Sequence, residues 1–237
     1  MRFDKRNNDQ MREIKVTPNF LQNPAGSVMI ECGKTRVLCS ATIVDEVPPW
    51  MRAQKVKGGW ITGEYQLLPT STNTRVRRER KGASGRTQEI QRLIGRSLRA
   101  ACDLEKLDNK TIYIDCDVID ADGGTRCASI TGSMMALRIA IDKLLKDNKI
   151  TEDPIKYNIA AISVGMVNET ELLDLCYEED SNADVDMNVI MTEHFEIVEI
   201  QGTAEGKTFS RKQMNNMLDL AEKGLTELFK VQKNISI

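Results

Sequence analysis

Three groups of residues in this chain have the types and spacing to do chemistry. The first is Asp120-Ala121-Asp122-Gly123-Gly124-Thr125-Arg126, two glycines followed by a hydroxyl and a guanidinium. Backbone N–H groups at a strand-to-helix turn, with an arginine beside them, form an anion seat, and a phosphate is the natural occupant. An ordinary turn carrying a surface arginine has the same composition. The second group is acidic. In a strand from Asp184 onward, Asp184, Asp186 and Asn188 share one face, with Asp180 in the loop before. Two carboxylates and an amide suit a hard cation such as Mg²⁺, which takes one or two carboxylates plus water and substrate phosphate. An acidic edge strand that wards off aggregation is the competing reading. The third group is basic. Between Met51 and Ala100 stand twelve Lys/Arg and three Glu, in a chain whose net charge is −2. A local basic block in an otherwise acidic protein points to a polyanionic partner that touches one region.

The elements that must position these residues are legible from periodicity. In Thr111–Ile119, Ile112, Ile114, Cys116 and Val118 alternate with polar or aromatic residues, which predicts a strand with one buried face. Ile130, Met134, Leu137, Ile141 and Leu144 then fall on one helical stripe, so the glycine turn sits between strand and helix. Upstream, a long polar loop, Ser71–Ser84, carries Arg75, Arg77, Arg78, Arg80 and Lys81. A charge run of this kind is often only a solvated face. A helix over Thr87–Lys106 follows it, burying Ile90, Leu93, Ile94, Ser97, Leu98 and Ala101 and presenting Arg92, Arg96 and Arg99 on another face. Arg86 stands at the start of that helix, where a cation opposes the dipole; a bound anion would resolve the conflict, and an exposed, solvated arginine would also tolerate it.

Hairpins are predicted at Ser27–Cys32/Thr35–Ile43, Asn158–Val167/Glu171–Cys176 and Asp184–Met191/Phe195–Ile200, and further strands at Arg12–Thr17 and Glu64–Leu68. A last helix spans Ser210–Phe229 with Ser210 as N-cap. The order β-β-β-β-α-β-α-β-β-β-β-α is an α+β pattern of mixed β-sheets packed with helices, within one domain over residues 1–237. Six cysteines without CxxC pairing read as reduced core thiols, and a single histidine, His194, excludes multi-histidine metal centres. His194 is expected in a hairpin turn, without a catalytic role. No apolar run reaches the roughly 20 residues that span a bilayer. The charged start Met1-Arg2-Phe3-Asp4-Lys5-Arg6 is no signal peptide, so a cytoplasmic location is expected.

Taken together, these segments resemble ribonuclease PH over essentially the whole chain. The resemblance is carried by Gly85-Arg86-Thr87-Gln88-Glu89-Ile90-Gln91-Arg92-Leu93-Ile94-Gly95-Arg96, by Asp120–Arg126, by Glu179-Asp180 with Asp186-Met187-Asn188, and by Glu199-Ile200-Gln201-Gly202-Thr203-Ala204-Glu205-Gly206. It implies a ribonuclease PH-like (ribosomal protein S5 domain 2-like) fold, similar to the core domains of polynucleotide phosphorylase and to exosome ring subunits. It also implies a phosphate-dependent 3′-to-5′ exoribonuclease, a tRNA nucleotidyltransferase, trimming tRNA precursors and other RNA 3′ ends. Inorganic phosphate would be the co-substrate, nucleoside 5′-diphosphates the products, and hexamers (trimers of dimers) the assembly. By the same resemblance Arg86, Gly124, Thr125 and Arg126 would hold phosphate, and Asp180 and Asp186 would be catalytic and hold Mg²⁺. Arg75, Arg77, Arg78, Arg80 and Lys81 would contact RNA, with Arg92, Arg96 and Arg99 extending that basic surface. At Glu193-His194-Phe195-Glu196 the chain departs from the family, whose members usually carry glycines there. A non-catalytic RNA-binding ring subunit would lack the arginines or aspartates. A small-nucleotide-binding protein would have no use for so long a basic loop.

Overall fold

The computed structural model describes residues 2–205 and 207–235. Gly206, the last residue of the fourth family-like stretch, lies outside them. Among the described residues nine strands and five α-helices follow in order: β1 (Ile14–Pro18), β2 (Gly26–Cys32), β3 (Thr35–Val44), α1 (Pro49–Gln54), β4 (Trp60–Leu67), α2 (Gly85–Ala101), β5 (Thr111–Asp120), α3 (Thr125–Lys146), β6 (Ile159–Val167), β7 (Thr170–Leu173), α4 (Tyr177–Asp180), β8 (Val185–Thr192), β9 (Ile197–Ala204) and α5 (Arg211–Lys233). The mixed-sheet α+β expectation is met. One sheet runs β1-β2-β3-β5-β4 and is antiparallel except for the parallel pair β4–β5. The other, β7-β6-β8-β9, is antiparallel throughout.

Helix α3 lies between the two sheets. On one side Gly132 lets the helix approach Cys39 and Ile30 of the first sheet. On the other, the Thr131 hydroxyl accepts from Ala161 N at 3.0 Å in β6. Its apolar stripe continues round the cylinder, as it must for a helix covered on both sides. Strand β6 is likewise buried on both faces: Ile159 and Ala161 join the α3 core, while Ala160, Ile162 and Val164 join a second core under α5. The layers are therefore sheet, helix, sheet, helix.

Where structure and pattern differ, tertiary contact is the reason. Helix α2 ends at Ala101, short of Lys106, because Cys102 leaves to bridge Ile155. Residues 51–63 lack an apolar period, yet they hold most of α1 and the start of β4. There Gly63 has no side chain to pack and lies under Ile94. Asp184 precedes β8 rather than joining it, and Asp180 closes the one-turn helix α4 rather than lying in a loop. Strand β9 begins at Ile197, two residues after the expected Phe195, so that the tip 193–196 forms the turn. Strand β8 is interior, between β6 and β9, which removes the edge-strand explanation of its acids.

Candidate active site

The glycine turn is built from beneath. Gly123 and Gly124 have φ of +76° and +65°, values that L side chains rarely adopt, and Gly124 is the N-cap of α3. Thr35 Oγ1 donates to Gly123 O at 2.7 Å and accepts from Asp122 N at 2.9 Å. Arg12 donates to Asp122 O and, at 3.5 Å, to Gly123 O. A trans peptide sends its N–H opposite to its C=O. The Gly123 and Gly124 N–H groups therefore face away from Arg12 and form, with the start of α3, a concave anion seat. The Thr125 side chain is buried, its hydroxyl 2.9 Å from Tyr65 Oη, which leaves its backbone N–H as the group it could offer an anion.

Arg126, half-buried, donates to Gln201 Oε1 of β9 at 3.0 Å and lies 3.4 Å from Glu89 of α2. Gln201 in turn donates to Glu89 at 2.9 Å. The arginine is thus aimed by two neighbouring elements and not left to wander. Arg86, the second residue of α2, is exposed and has no hydrogen bond or ion pair among the described residues. Both arginines line one pocket of about 430 Å³ with Gly123, Gly124, Thr125, Ser163, Tyr177, Asp180, Asp186 and Asn188. The residues singled out in the sequence as phosphate and carboxylate candidates line one cavity. Sequence reading missed Tyr177, Ser163, Gln201 and Arg12. Gln201 was already inside a stretch carrying the family resemblance, and only that signal could have found it.

The carboxylates are strained electrostatically. Burial, with the charge on Asp180 second, pushes Asp186 up to about 6. Asp180 is open to solvent on one side but is raised by the protein around its carboxyl, against the pull of Arg126 and Arg86. Glu205 adds negative charge to both. Neither aspartate has a salt bridge among the described residues; the nearby Asn188 side chain draws the Asp186 carboxyl down against the other influences. Two close carboxylates without a cationic side chain bonded to them fit Mg²⁺. Among the described residues they are not part of a cluster of three or more His, Cys, Asp or Glu that could cage a metal by itself. That donor set suits an ion that keeps several waters.

The basic candidates divide. Arg75, Arg77, Arg78, Arg80 and Lys81 are exposed on the loop before α2, without hydrogen-bonded partners among the described residues. The loop is tethered by Glu79, which accepts from the Thr87 hydroxyl at 3.0 Å. Arg92 is also exposed. Arg96 pairs with Glu199 at 2.6 Å. Arg99 is committed to the fold: it lies 4.3 Å from the centroid of the Trp60 ring and donates to Ile61 O at 2.8 Å. His194 is exposed in the β8–β9 turn, away from the pocket.

The family description "3′ exoribonuclease family, domain 1" matches residues 10–141, and "3′ exoribonuclease family, domain 2" matches residues 157–224. A protein named Ribonuclease PH from Bacillus pumilus (strain SAFR-032) is 54% identical over 239 residues, covering 100% of this chain and 98% of its own length. Ribonuclease PH of Neisseria meningitidis serogroup C is 54% identical over 228 residues, covering 95% of this chain and 93% of its own. Among solved structures, rice (Oryza sativa) Rrp46 superposes with a TM-score of 0.77 at 18% identity, covering 98% of both chains. An Archaeoglobus fulgidus exosome with RNA bound to the active site gives 0.79 at 21%, covering 99% of this chain and 92% of the other. These last two speak to fold alone.

Proposed function

The chain belongs to the ribonuclease PH family of 3′ exoribonucleases, and on that footing we propose that its pocket holds inorganic phosphate between Arg86, Arg126 and the Gly123–Gly124 turn, beside the Asp180/Asp186 pair. The enzyme is a phosphorolytic 3′-to-5′ exoribonuclease of tRNA processing, a nucleotidyltransferase that passes the terminal nucleotide to phosphate. The observation that carries the site assignment is the meeting of two arginines, a helix N-terminus and two carboxylates in one cavity.

The nucleophile is a phosphate oxygen, so no serine, cysteine or histidine base is needed. What the protein must overcome is repulsion between two anions, the free phosphate and the terminal phosphodiester of the RNA. Arg86 and Arg126 offset that charge, and the turn's N–H groups fix the phosphate's orientation for in-line attack. Attack on the terminal phosphorus forms a new P–O–P bond and breaks the bond to the preceding 3′-oxygen. A nucleoside 5′-diphosphate leaves, and the RNA is one residue shorter. Asp180 and Asp186 would hold Mg²⁺, which supplies charge stabilisation for the departing 3′-oxygen and the phosphoryl oxygens. The exposed Arg75–Lys81 loop and Arg92 would guide the RNA backbone toward the pocket.

In this reading the substrates are tRNA precursors and other RNA 3′ ends, the assembly is a hexamer built as a trimer of dimers, and the location is the cytoplasm. None of the helices among the described residues is long and apolar enough to cross a membrane. Full-length protein incubated with a 3′-extended RNA and Mg²⁺ tests the reaction. Shortening should require added phosphate and release nucleoside diphosphates. Equal trimming without phosphate, with release of monophosphates, would overturn it.

A further inference from the structure

Arg12 lies outside the pocket yet bonds both the glycine turn that lines it and the segment that leads into α4. Its side chain is almost fully buried, 6% exposed, and its guanidinium has four recorded bonds. Nε and Nη2 fork onto the Asp174 carboxylate at 3.0 and 2.6 Å. Nη1 and Nη2 reach the carbonyls of Asp122 and Gly123. Its backbone N–H donates to the same aspartate at 2.8 Å. Asp174 heads the segment that becomes α4, the carrier of Asp180. That segment presses on the glycine turn backbone to backbone: a Cβ on Gly123 would stand 2.6 Å from Leu175 O and 2.8 Å from Tyr177 N. Tyr177 N also donates to Asp122 Oδ1 at 3.3 Å.

We propose that Arg12 is a positioning residue for phosphorolysis, its fork onto Asp174 and its bonds to the Asp122 and Gly123 carbonyls locking the phosphate turn in register with the helix that carries Asp180. This rests on the phosphate reading of the pocket given above. The logic is directional. With both carbonyls drawn to Arg12 and Thr35, the paired N–H groups are presented to the pocket. If the carbonyls rotate free, the same peptides turn oxygen lone pairs toward an anion. A Cβ on Gly124 would lie 3.1 Å from Arg12 Nη2, so the arginine also forms the floor on which that glycine sits. Burial would raise the Asp174 carboxyl, but the charge of Arg12 and its hydrogen bonds bring it below the usual carboxylate range, so the pair is ionised across the working pH.

Lysine is a point charge and cannot span carboxylate and carbonyls with a planar fork. Arg12→Lys should therefore raise the KM for inorganic phosphate by about tenfold, the effect of one lost charged hydrogen bond. The KM for RNA should stay within twofold. Thr35→Val, which frees the same Gly123 carbonyl from the other side, should shift the phosphate KM in the same sense without touching the ion pair. Phosphate titrations of full-length wild type and both variants, read as diphosphate release alongside melting temperatures, decide the matter. A merely structural arginine would lower the melting temperature and leave the phosphate KM of the folded enzyme unchanged, and that result overturns the proposal. A wild-type enzyme that ignores phosphate altogether would instead refute the reading on which it rests.

Discussion

Asp186 of β8 and Asp180 of α4 line the same pocket, and the negative charge of Asp180 is second only to burial in holding the Asp186 carboxyl up at about 6. Two acids from separate elements are thus held together at a cost to the fold, an arrangement that a bound cation would relieve.

That cost gives Asp186→Asn a defined pH signature. A carboxyl raised from 3.8 to about 6 opposes folding only where it must ionise inside the protein. The penalty is absent below about pH 4 and complete above pH 6. In metal-free buffer the variant should be more stable than wild type at pH 7.5, by up to about 3 kcal/mol, and no different near pH 4. It should also lose Mg²⁺-dependent trimming. Thermal melts in EDTA at the two pH values measure the first effect; identical melting temperatures at pH 7.5 would refute it.

Arg126→Ala should reduce kcat/KM for phosphate by about 10²- to 10³-fold, the scale for removing one preorganised charge-stabilising donor. The fold should survive, because Gln201 and Glu89 remain bonded to each other at 2.9 Å. Diphosphate release across a phosphate titration, with far-ultraviolet circular dichroism as control, tests this. Unchanged phosphate dependence would remove Arg126 from the seat.

The basic residues should separate by salt dependence. Each loop arginine replaced among Arg75, Arg77, Arg78 and Arg80 that contacts a phosphate should flatten the slope of log K against log salt for single-stranded RNA by about 0.7. Arg99→Ala should leave that slope alone and lower the melting temperature, since it forfeits the Trp60 stacking and the bond to Ile61 O. Equal slopes for loop variants and wild type would dismiss the loop as an RNA contact.

Phe195 occupies a φ of +61° at the β8–β9 tip, and its ring packs edge-on against Phe229 at 6.4 Å. Phe195→Ala loses the ring contact and keeps the backbone strain. Phe195→Gly loses the contact and relieves about 1 kcal/mol of it. The glycine variant should therefore melt above the alanine one, with catalysis unaffected in both. The reverse order would contradict the strain assignment.

Residues acting on sequence neighbours were readable. The Thr111–Ile119 alternation, the Gly123-Gly124 turn and the Ser210 cap, which accepts from Gln213 N, all declare themselves within a few positions. What escaped the reading depends on distant partners. Helix α4 has four residues and no period; it is held by Glu179, which receives Arg2 Nε at 2.7 Å from 177 positions away. Arg12 reads only as the first residue of a short strand, and its partner Asp174 lies 162 positions on. Arg99 looks identical to Arg92 in a basic stripe, and only Trp60 distinguishes them.

Helix α3, walled by a sheet on each side, has a bearing on synthesis. A ribosome delivers β1 to α3 before β6, so the nascent chain must hold a half-naked helix until residue 167 has emerged. A protease nick in the connector near residue 150 should accordingly yield two pieces that stay clasped together, not two bodies that part and remain folded.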